Sequence, residues 1–409
     1  MIDRGFSPWN GAERRGRLGE LSFPWMRQAV TWDSIAIGGG PAGAAFALEL
    51  ARNGRRVALI ERTQDAQHKV CGEFLSLEAQ DLLRYLGLDI ASLGATMIDT
   101  FRMVAGERNA AISLPFRAAG LSRFCLDEAL LSAAERAGVH VVRGSRVTSV
   151  EPSDDGAVVR SEATVWRAKA AALATGKHSL RGLTRPHGRM VGFKLHLASD
   201  NATQTLPGLV QLVFFRGGYF GACLVEENTL SIGWVMEAEL VRKIGAEWPA
   251  QKSYLAEQSS FAAHLLNNAR PLFAKAISTA GIPYGFMRSE PIGPAVYPLG
   301  DQLAVVPSFT GDGMAIALCS GIVAARAVLE GKTAPMFQRD FIHRVKHQFR
   351  VAGALGRILQ TPMLCAVSVA AANLLPRVAT KMVSATRLQG FENLTGRGKP
   401  QTQAGVGRA

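Results

Sequence analysis

The chain has 409 residues, 48% of them hydrophobic, enough to bury a sizeable core in two domains or in one discontinuous domain carrying an insertion. Its five cysteines (Cys71, Cys125, Cys223, Cys319, Cys365) are scattered with no CxxC and no His/Cys cluster, so no structural zinc, no other metal and no disulfide framework is expected, and a cytoplasmic location fits. The net charge of +13 is uneven, with twelve Lys/Arg against two Asp/Glu from Lys332 onward; no aromatic-plus-basic platform accompanies it, so no nucleic acid is expected, and the basic tail faces anionic lipid, an acidic partner or solvent.

Residues 1–30 contain no apolar run of signal-peptide length and read as a disordered extension, with translation starting at Met1 or at Met26. The first regular motif runs from Asp33 to Arg62, "DSIAIGGGPAGAAFALELARNGRRVALIER". A strand over 34–37 leads into Gly38, Gly40 and Gly43 of a GxGxxG turn; a helix from Pro41 to Arg52 follows, and a second strand over 57–60 ends at Glu61-Arg62. Such glycines permit a tight turn, close approach of the backbone to a pyrophosphate and close helix–strand packing, with Pro41 and Ala42 opening a helix whose N-terminus faces phosphate. Glu61, 18 residues after Gly43, is placed to accept hydrogen bonds from a ribose. Next comes "QHKVCGEFLS" over 67–76, joining a free cysteine to a glycine and a carboxylate.

Further along, 120–150 reads as a turn, a helix and a strand, and 192–236 holds alternating apolar patches separated by Gly-Gly and Glu-Asn turns, the pattern of antiparallel strands. Phe214, Phe215, Tyr219, Phe220 and Trp234 line a pocket there or fill ordinary sheet core, and Lys194 and His196 alternate on one strand face. A helical stretch over about 238–270 follows, then a strand, a loop and a long small-residue helix across 296–331. The apolar stretch over 362–375 is too short to span a bilayer; it lies on one or packs as a buried helix.

The opening motif, together with 120–150 and "VYPLGDQLAVVPSFTGDGMAIALCSGIVAARAVLEG" (296–331), resembles the FAD-dependent oxidoreductases of the p-hydroxybenzoate-hydroxylase-like fold, and within them the geranylgeranyl-reductase-like branch, over roughly 30–335. The resemblance implies an α/β fold: a Rossmann-like FAD-binding domain of the glutathione-reductase type (31–97, 117–185 and 286–335), an inserted antiparallel β-sheet substrate domain (98–116 and 186–285), C-terminal helices (336–392) and a disordered tail (393–409). It implies FAD held by the glycine turn and by Arg62, Lys69, Cys71 and Arg123, by backbone at Val147, by Gly176, by Gly300-Asp301 at the ribityl chain, and by Gly311, Asp312, Gly313 and Met314 against the flavin ring. Cys71, Glu73, Tyr219 and His196 become the candidate catalytic residues.

Two departures matter. Thr175 stands where aromatic hydroxylases of this fold carry Asp, and Gly221, Cys223 and Leu224 replace the Trp, Phe and Pro of the reductases' Tyr-x-Trp-x-Phe-Pro motif, of which Tyr219 is kept. The halogenases' Trp-x-Trp-x-Ile-Pro is absent. The implied activity is hydride transfer through FAD to or from a lipophilic small molecule, isoprenoid- or polyketide-like; a phenol-hydroxylating monooxygenase and a pure electron carrier stay open. No second GxGxxG occurs, so NAD(P)H or a reduced protein would bind transiently as donor, and the basic C-terminal helices offer a peripheral membrane contact.

Overall fold

The structure, a computed structural model, describes residues 31–395; the extension over 1–30, the choice between Met1 and Met26 and the tail beyond 395 lie outside the described residues. Two sheets organise the rest. The first contains seven strands, in the order His140–Val142, Val57–Ile60, Thr31–Ile37, Val165–Leu173, Gly156–Ser161, Val147–Ser153, with Val296–Pro298 added beside the second half of Val165–Leu173. Its central strands run parallel, in the register Ile37↔Ile60 and Ile37↔Leu173. Val57–Ile60 is apolar throughout and Thr31–Ile37 is buried over its second half, because both faces are covered there, the usual state of parallel sheet.

The Pro41–Arg52 helix crosses one face and packs on the helix Gly313–Leu329. This contact dictates the small residues seen in both. A Cβ at Gly321 would lie 2.3 Å from the Ala42 carbonyl oxygen and 3.0 Å from Ala45 Cβ. The two helices, the helix Leu77–Tyr85 and the helix Arg123–Arg136 share one core with the sheet.

The second sheet has nine strands, ordered Arg270–Pro271, Met190–Ala198, Leu230–Glu237, Gly218–Leu224, Gly208–Phe215, Thr96–Ala105, Arg108–Gly120, Phe74–Leu75, with Ile277–Ile282 also on Met190–Ala198. It is mixed rather than purely antiparallel, because Gly208–Phe215 and Thr96–Ala105 run parallel (Leu212↔Met103). The period of two sorts its side chains into layers. Val213, Phe215, Phe220 and Trp234 join the core beneath the helices Ala238–Ile244, Trp248–Ala256 and Ser260–Leu266, whereas Leu212, Phe214 and Tyr219 join residues of the C-terminal helices. The helical stretch expected over 238–270 is broken in two places, at Gly245, which has φ +95°, and before Ser259, whose hydroxyl caps the third helix.

Three helices follow, Ala334–Leu359, Pro362–Leu374 and Pro376–Ala385. The tail expected from 393 starts inside a 3-10 turn, Glu392–Thr395.

Candidate active site

A cavity of about 410 Å³ runs between the two sheets, from the glycine turn to the C-terminal helices. Two helix N-termini open beside it. Gly40 precedes the first helix and Asp312 precedes the helix Gly313–Leu329, and neither helix receives a side-chain cap. Uncapped amides of this kind attract negative charge. Glycines leave the room: a Cβ at Gly40 would meet only Arg123 Nη2, at 3.3 Å, and at Gly72, Gly176 or Gly313 it would meet nothing within 4 Å, although all four line the cavity. Gly38 and Gly43 serve the turn itself, as a Cβ on Gly43 would sit 1.9 Å from the Gly38 carbonyl oxygen, and Gly38 has φ +106°.

Around this cradle the polar groups match the parts of a dinucleotide. Glu61 accepts the Gly39 N–H (2.7 Å) and both the N–H and the hydroxyl of Thr63 (3.1 and 2.9 Å). Burial pushes its carboxyl up, but these donors and the Lys69 charge outweigh it and hold Glu61 below the usual range. Arg123 opens its helix and is held in a two-point contact by Asp127, Nε to Oδ1 and Nη2 to Oδ2, both 2.7 Å. Burial opposes the Arg123 charge, yet Asp127 and Cys71 more than restore it. Lys177 pairs with Asp301 (3.2 Å) and donates to the Val70 carbonyl. Gln302 uses one amide nitrogen to tie Thr175 Oγ1 and the Gly176 and His178 carbonyls, so the turn that lacks the hydroxylase Asp is organised by a glutamine. The residues present therefore fit FAD: a turn for pyrophosphate, a carboxylate for ribose, Asp301 for the ribityl hydroxyls and an open helix N-terminus for the flavin ring edge.

The loop after the second strand meets the second sheet here. Cys71 Sγ accepts the Glu73 N–H (3.4 Å) and hydrogen-bonds Arg123. The Cys71 carbonyl and Gly72 lie over Gly233, which has no side chain to obstruct them. Glu73, at φ +58°, then drives a fully buried carboxylate onto the sheet. Its Oε2 accepts Lys194 Nζ (2.5 Å) and meets His196 Nε2 (2.6 Å), while Oε1 accepts the Arg123 N–H (3.0 Å). Lys194 also donates to Ser231 (2.5 Å). Burial pushes Glu73 up, but Lys194 and His196 dominate and bring it down to about 2. His68, Glu73 and His196 lie within 4.8 Å of one another, but the Lys194 ammonium already occupies the same carboxylate oxygen, which makes this an ion cluster and disfavours a metal cation there.

Lys194 and His196 do share a strand face, as their spacing suggests, but they turn to Glu73 and neither lines the cavity. Of the other residues singled out from the sequence, Gly40, Pro41, Ala42, Cys71, Glu73, Arg123, Gly176, Tyr219, Gly300, Asp301, Gly311, Gly313 and Met314 line it. Gly38, Gly43, Glu61, Lys69 and Val147 stand behind this wall, and Arg62 is exposed. Val147 packs into the core of the first sheet. Asp312 departs from its expected place against the flavin: its carboxylate is fully buried and faces away, accepting Gln348 Nε2 (2.6 Å) and lying 3.4 Å from Arg387. Asp127, Lys177, Tyr284, Gln302 and Ser308 were not anticipated. Only Asp127 had a local signal, four residues after Arg123 on one helix face.

On the far side, Tyr219 hydrogen-bonds the Ser308 hydroxyl, and Ser308 meets the Tyr284 hydroxyl at 2.5 Å, making a three-hydroxyl chain at the turn before Gly311. Burial pushes the Tyr219 phenol well above its ordinary value, so it stays protonated. Of the aromatic residues expected as lining, Phe214 and Tyr219 face the cavity, Phe215 and Phe220 face the opposite layer, and Trp234 contributes to the wall while its indole is anchored to Gln251 (2.7 Å).

An FAD binding domain family model matches residues 31–180. Menaquinone reductase of Mycolicibacterium smegmatis is 26% identical over 393 residues, covering 88% of this chain and 91% of that protein. Digeranylgeranylglycerophospholipid reductase 2 of Methanosphaera stadtmanae is 24% identical over 325 residues, 74% of this chain and 80% of the other. Among solved structures, a flavin-dependent brominase superposes with a TM-score of 0.72 at 18% identity, over 88% of this chain and 94% of that one, which speaks to the fold alone. With the cradle described above, these findings give the chain an FAD-binding domain over residues 31–180 and make it an FAD-dependent enzyme.

Proposed function

We propose that the enzyme reduces a carbon–carbon double bond of a lipophilic, isoprenoid-like substrate, with hydride passing through FAD. The observation that carries this is the continuity of the cavity. One end is the polar cradle, and the other is walled by Phe101, Met103, Ile112, Leu212, Phe214 and the C-terminal helices. A pocket this apolar, adjoining a few placed polar groups, suits an extended hydrocarbon. The names of the two relatives, a menaquinone reductase and a digeranylgeranylglycerophospholipid reductase, support the same reading.

Bound FAD supplies the two-electron chemistry. The chain supplies the rest. Its apolar walls exclude water, and Lys177 and the open N-terminus at Gly313 place positive potential beside the polar end. Reduction of a double bond adds a hydride to one carbon and a proton to the other. Tyr219 is the proton donor in this reading: it lines the cavity, is held protonated, and can be resupplied through Ser308 and Tyr284.

The test is anaerobic. Holoenzyme reduced without oxygen is expected to be re-oxidised by a polyprenyl lipid, or by a polyprenyl quinone, with the two added hydrogens in the polyprenyl side chain and not on the quinone ring. Oxygen uptake stimulated by a phenol would replace this reading with hydroxylation, and re-oxidation by a protein acceptor alone would replace it with electron carriage. Tyr219→Phe is expected to retain FAD and lose about a hundredfold in anaerobic turnover, the usual scale for a general acid. Unchanged turnover would remove Tyr219 from the chemistry.

A further inference from the structure

Eight of the thirteen large hydrophobic side chains exposed among the described residues fall between Ile358 and Met382. Met363 is 75% and Leu374 80% exposed, and Val367, Leu375 and Val378 are each at least half exposed. Scattered single exposures need no explanation, but seven on one helical pair, with Ile358 at the end of the helix before it, do. The same stretch is unusual in charge. From Phe341 to Phe391 there are seven Lys/Arg and no Asp/Glu. Arg357, Arg377 and Lys381 are exposed among the apolar residues.

The inner side of this pair belongs to the cavity. Cys365, Val369 and Ala372 pack on the second sheet, and Ser368, Ala372 and Ala379 line the cavity. Ile358 and Met382 do both: they are exposed and they line the cavity, which places its mouth at the apolar surface.

We infer that the Pro362–Ala385 helical pair docks in the plane of an anionic lipid bilayer and that the mouth at Ile358 and Met382 opens onto it. The occupant is a bilayer because the face joins apolar side chains to uncompensated positive charge, the combination that inserts between acyl chains while meeting anionic headgroups. A second copy of the chain would bring the same positive charge against this one. Docking is in-plane: no single described helix is long and apolar enough to cross a membrane, and Ala334–Leu359 meets Pro362–Leu374 at a 108° bend. The docking stands on the surface alone; delivery of substrate through the mouth rests on the function proposed above.

The FAD-loaded full chain is to be sedimented with phosphatidylcholine vesicles, with and without phosphatidylglycerol. It is expected to bind the anionic vesicles and to favour them over the neutral ones. The double variant Met363→Asp/Leu374→Asp, whose sites touch neither cavity nor core, is expected to bind about tenfold or more weakly with an unchanged flavin spectrum, since binding scales with the apolar area inserted. Absence of binding, equal binding to both vesicle types, equal binding by parent and variant, or a concentration-dependent dimer dispersed by the same substitutions would overturn the inference. A second readout separates the two ideas. The variant is expected to lose turnover of a vesicle-embedded polyprenyl substrate while turning over a water-soluble short-chain analogue as the parent does. Vesicle binding without turnover of either substrate by the parent would overturn the proposed function and leave the docking surface standing.

Discussion

Glu73→Ala is expected to cost about 3–5 kcal/mol of stability, the scale seen when one partner of a buried ion pair is removed. The carboxylate is fully buried and receives Lys194, His196 and the Arg123 backbone. Without it, an ammonium with no water access keeps only the Ser231 hydroxyl. Glu73→Gln retains shape and an acceptor but not the charge, and is expected to be destabilised less than the alanine variant, yet clearly. The left-handed backbone at Glu73 works the other way, because glycine would relieve roughly 1–2 kcal/mol there; Glu73→Gly is therefore expected to lie above Glu73→Ala and below the parent. Urea unfolding midpoints at a constant m-value read all three. A loss below 1 kcal/mol for Glu73→Ala would show that the cluster contributes little.

The pH dependence has a fixed sign. The folded Glu73 titrates at about 2, below the ordinary 4.5 of a glutamate. Its stabilisation is therefore complete above about 4.5 and is lost as the pH falls from there through about 2. The Glu73→Gln variant is expected to lack this part of the acid-induced loss, measurable as a flatter stability profile over that window.

Gly43→Ala is expected to abolish FAD retention. The added Cβ would fall 1.9 Å from the Gly38 carbonyl oxygen and 3.1 Å from Ala174 Cβ, both parts of the strand-and-turn frame. Nothing there is the free end of a flexible side chain, so the turn itself must shift, and with it the amides at the mouth of the first helix. Gly54→Ala is the comparison. No heavy atom lies within 4 Å of the Cβ it would add, and only its φ of +73° resists the change, so a loss of about 1 kcal/mol with full flavin content is expected. Bound flavin per protein, read from the visible spectrum after gel filtration, decides. Gly43→Ala purified with a full complement of FAD would overturn the expectation.

The cofactor half was legible in the sequence because its signals are local. A strand, GxGxxG, a helix and an acidic strand end lie within thirty residues, and the structure places Pro41–Arg52 and Val57–Ile60 where that spacing puts them. What was not legible depends on long-range pairing. Lys194 and His196 could be placed on one strand face by alternation, but not assigned to Glu73, more than a hundred residues away. Asp312 sits within the turn that opens Gly313–Leu329, yet its side chain points to Gln348 and Arg387, because the C-terminal helices return over it. The hydroxyl chain from Tyr219 through Ser308 to Tyr284 joins three segments with no common motif. The parallel pairing of Gly208–Phe215 with Thr96–Ala105 was missed for the same reason: alternation reports a face, not a neighbour.

The embrace of the Pro41–Arg52 helix by Gly313–Leu329 has a consequence during synthesis. The dinucleotide turn leaves the ribosome early, but its helix remains without its main packing partner until almost three hundred further residues have been added. At about 5–20 residues per second this interval lasts roughly 15–60 seconds. Until then the helix can pack on the strands Thr31–Ile37 and Val57–Ile60 and on the helix Arg123–Arg136, but the small-residue face that Gly313–Leu329 covers stays open, so the cradle is completed only once that helix has emerged.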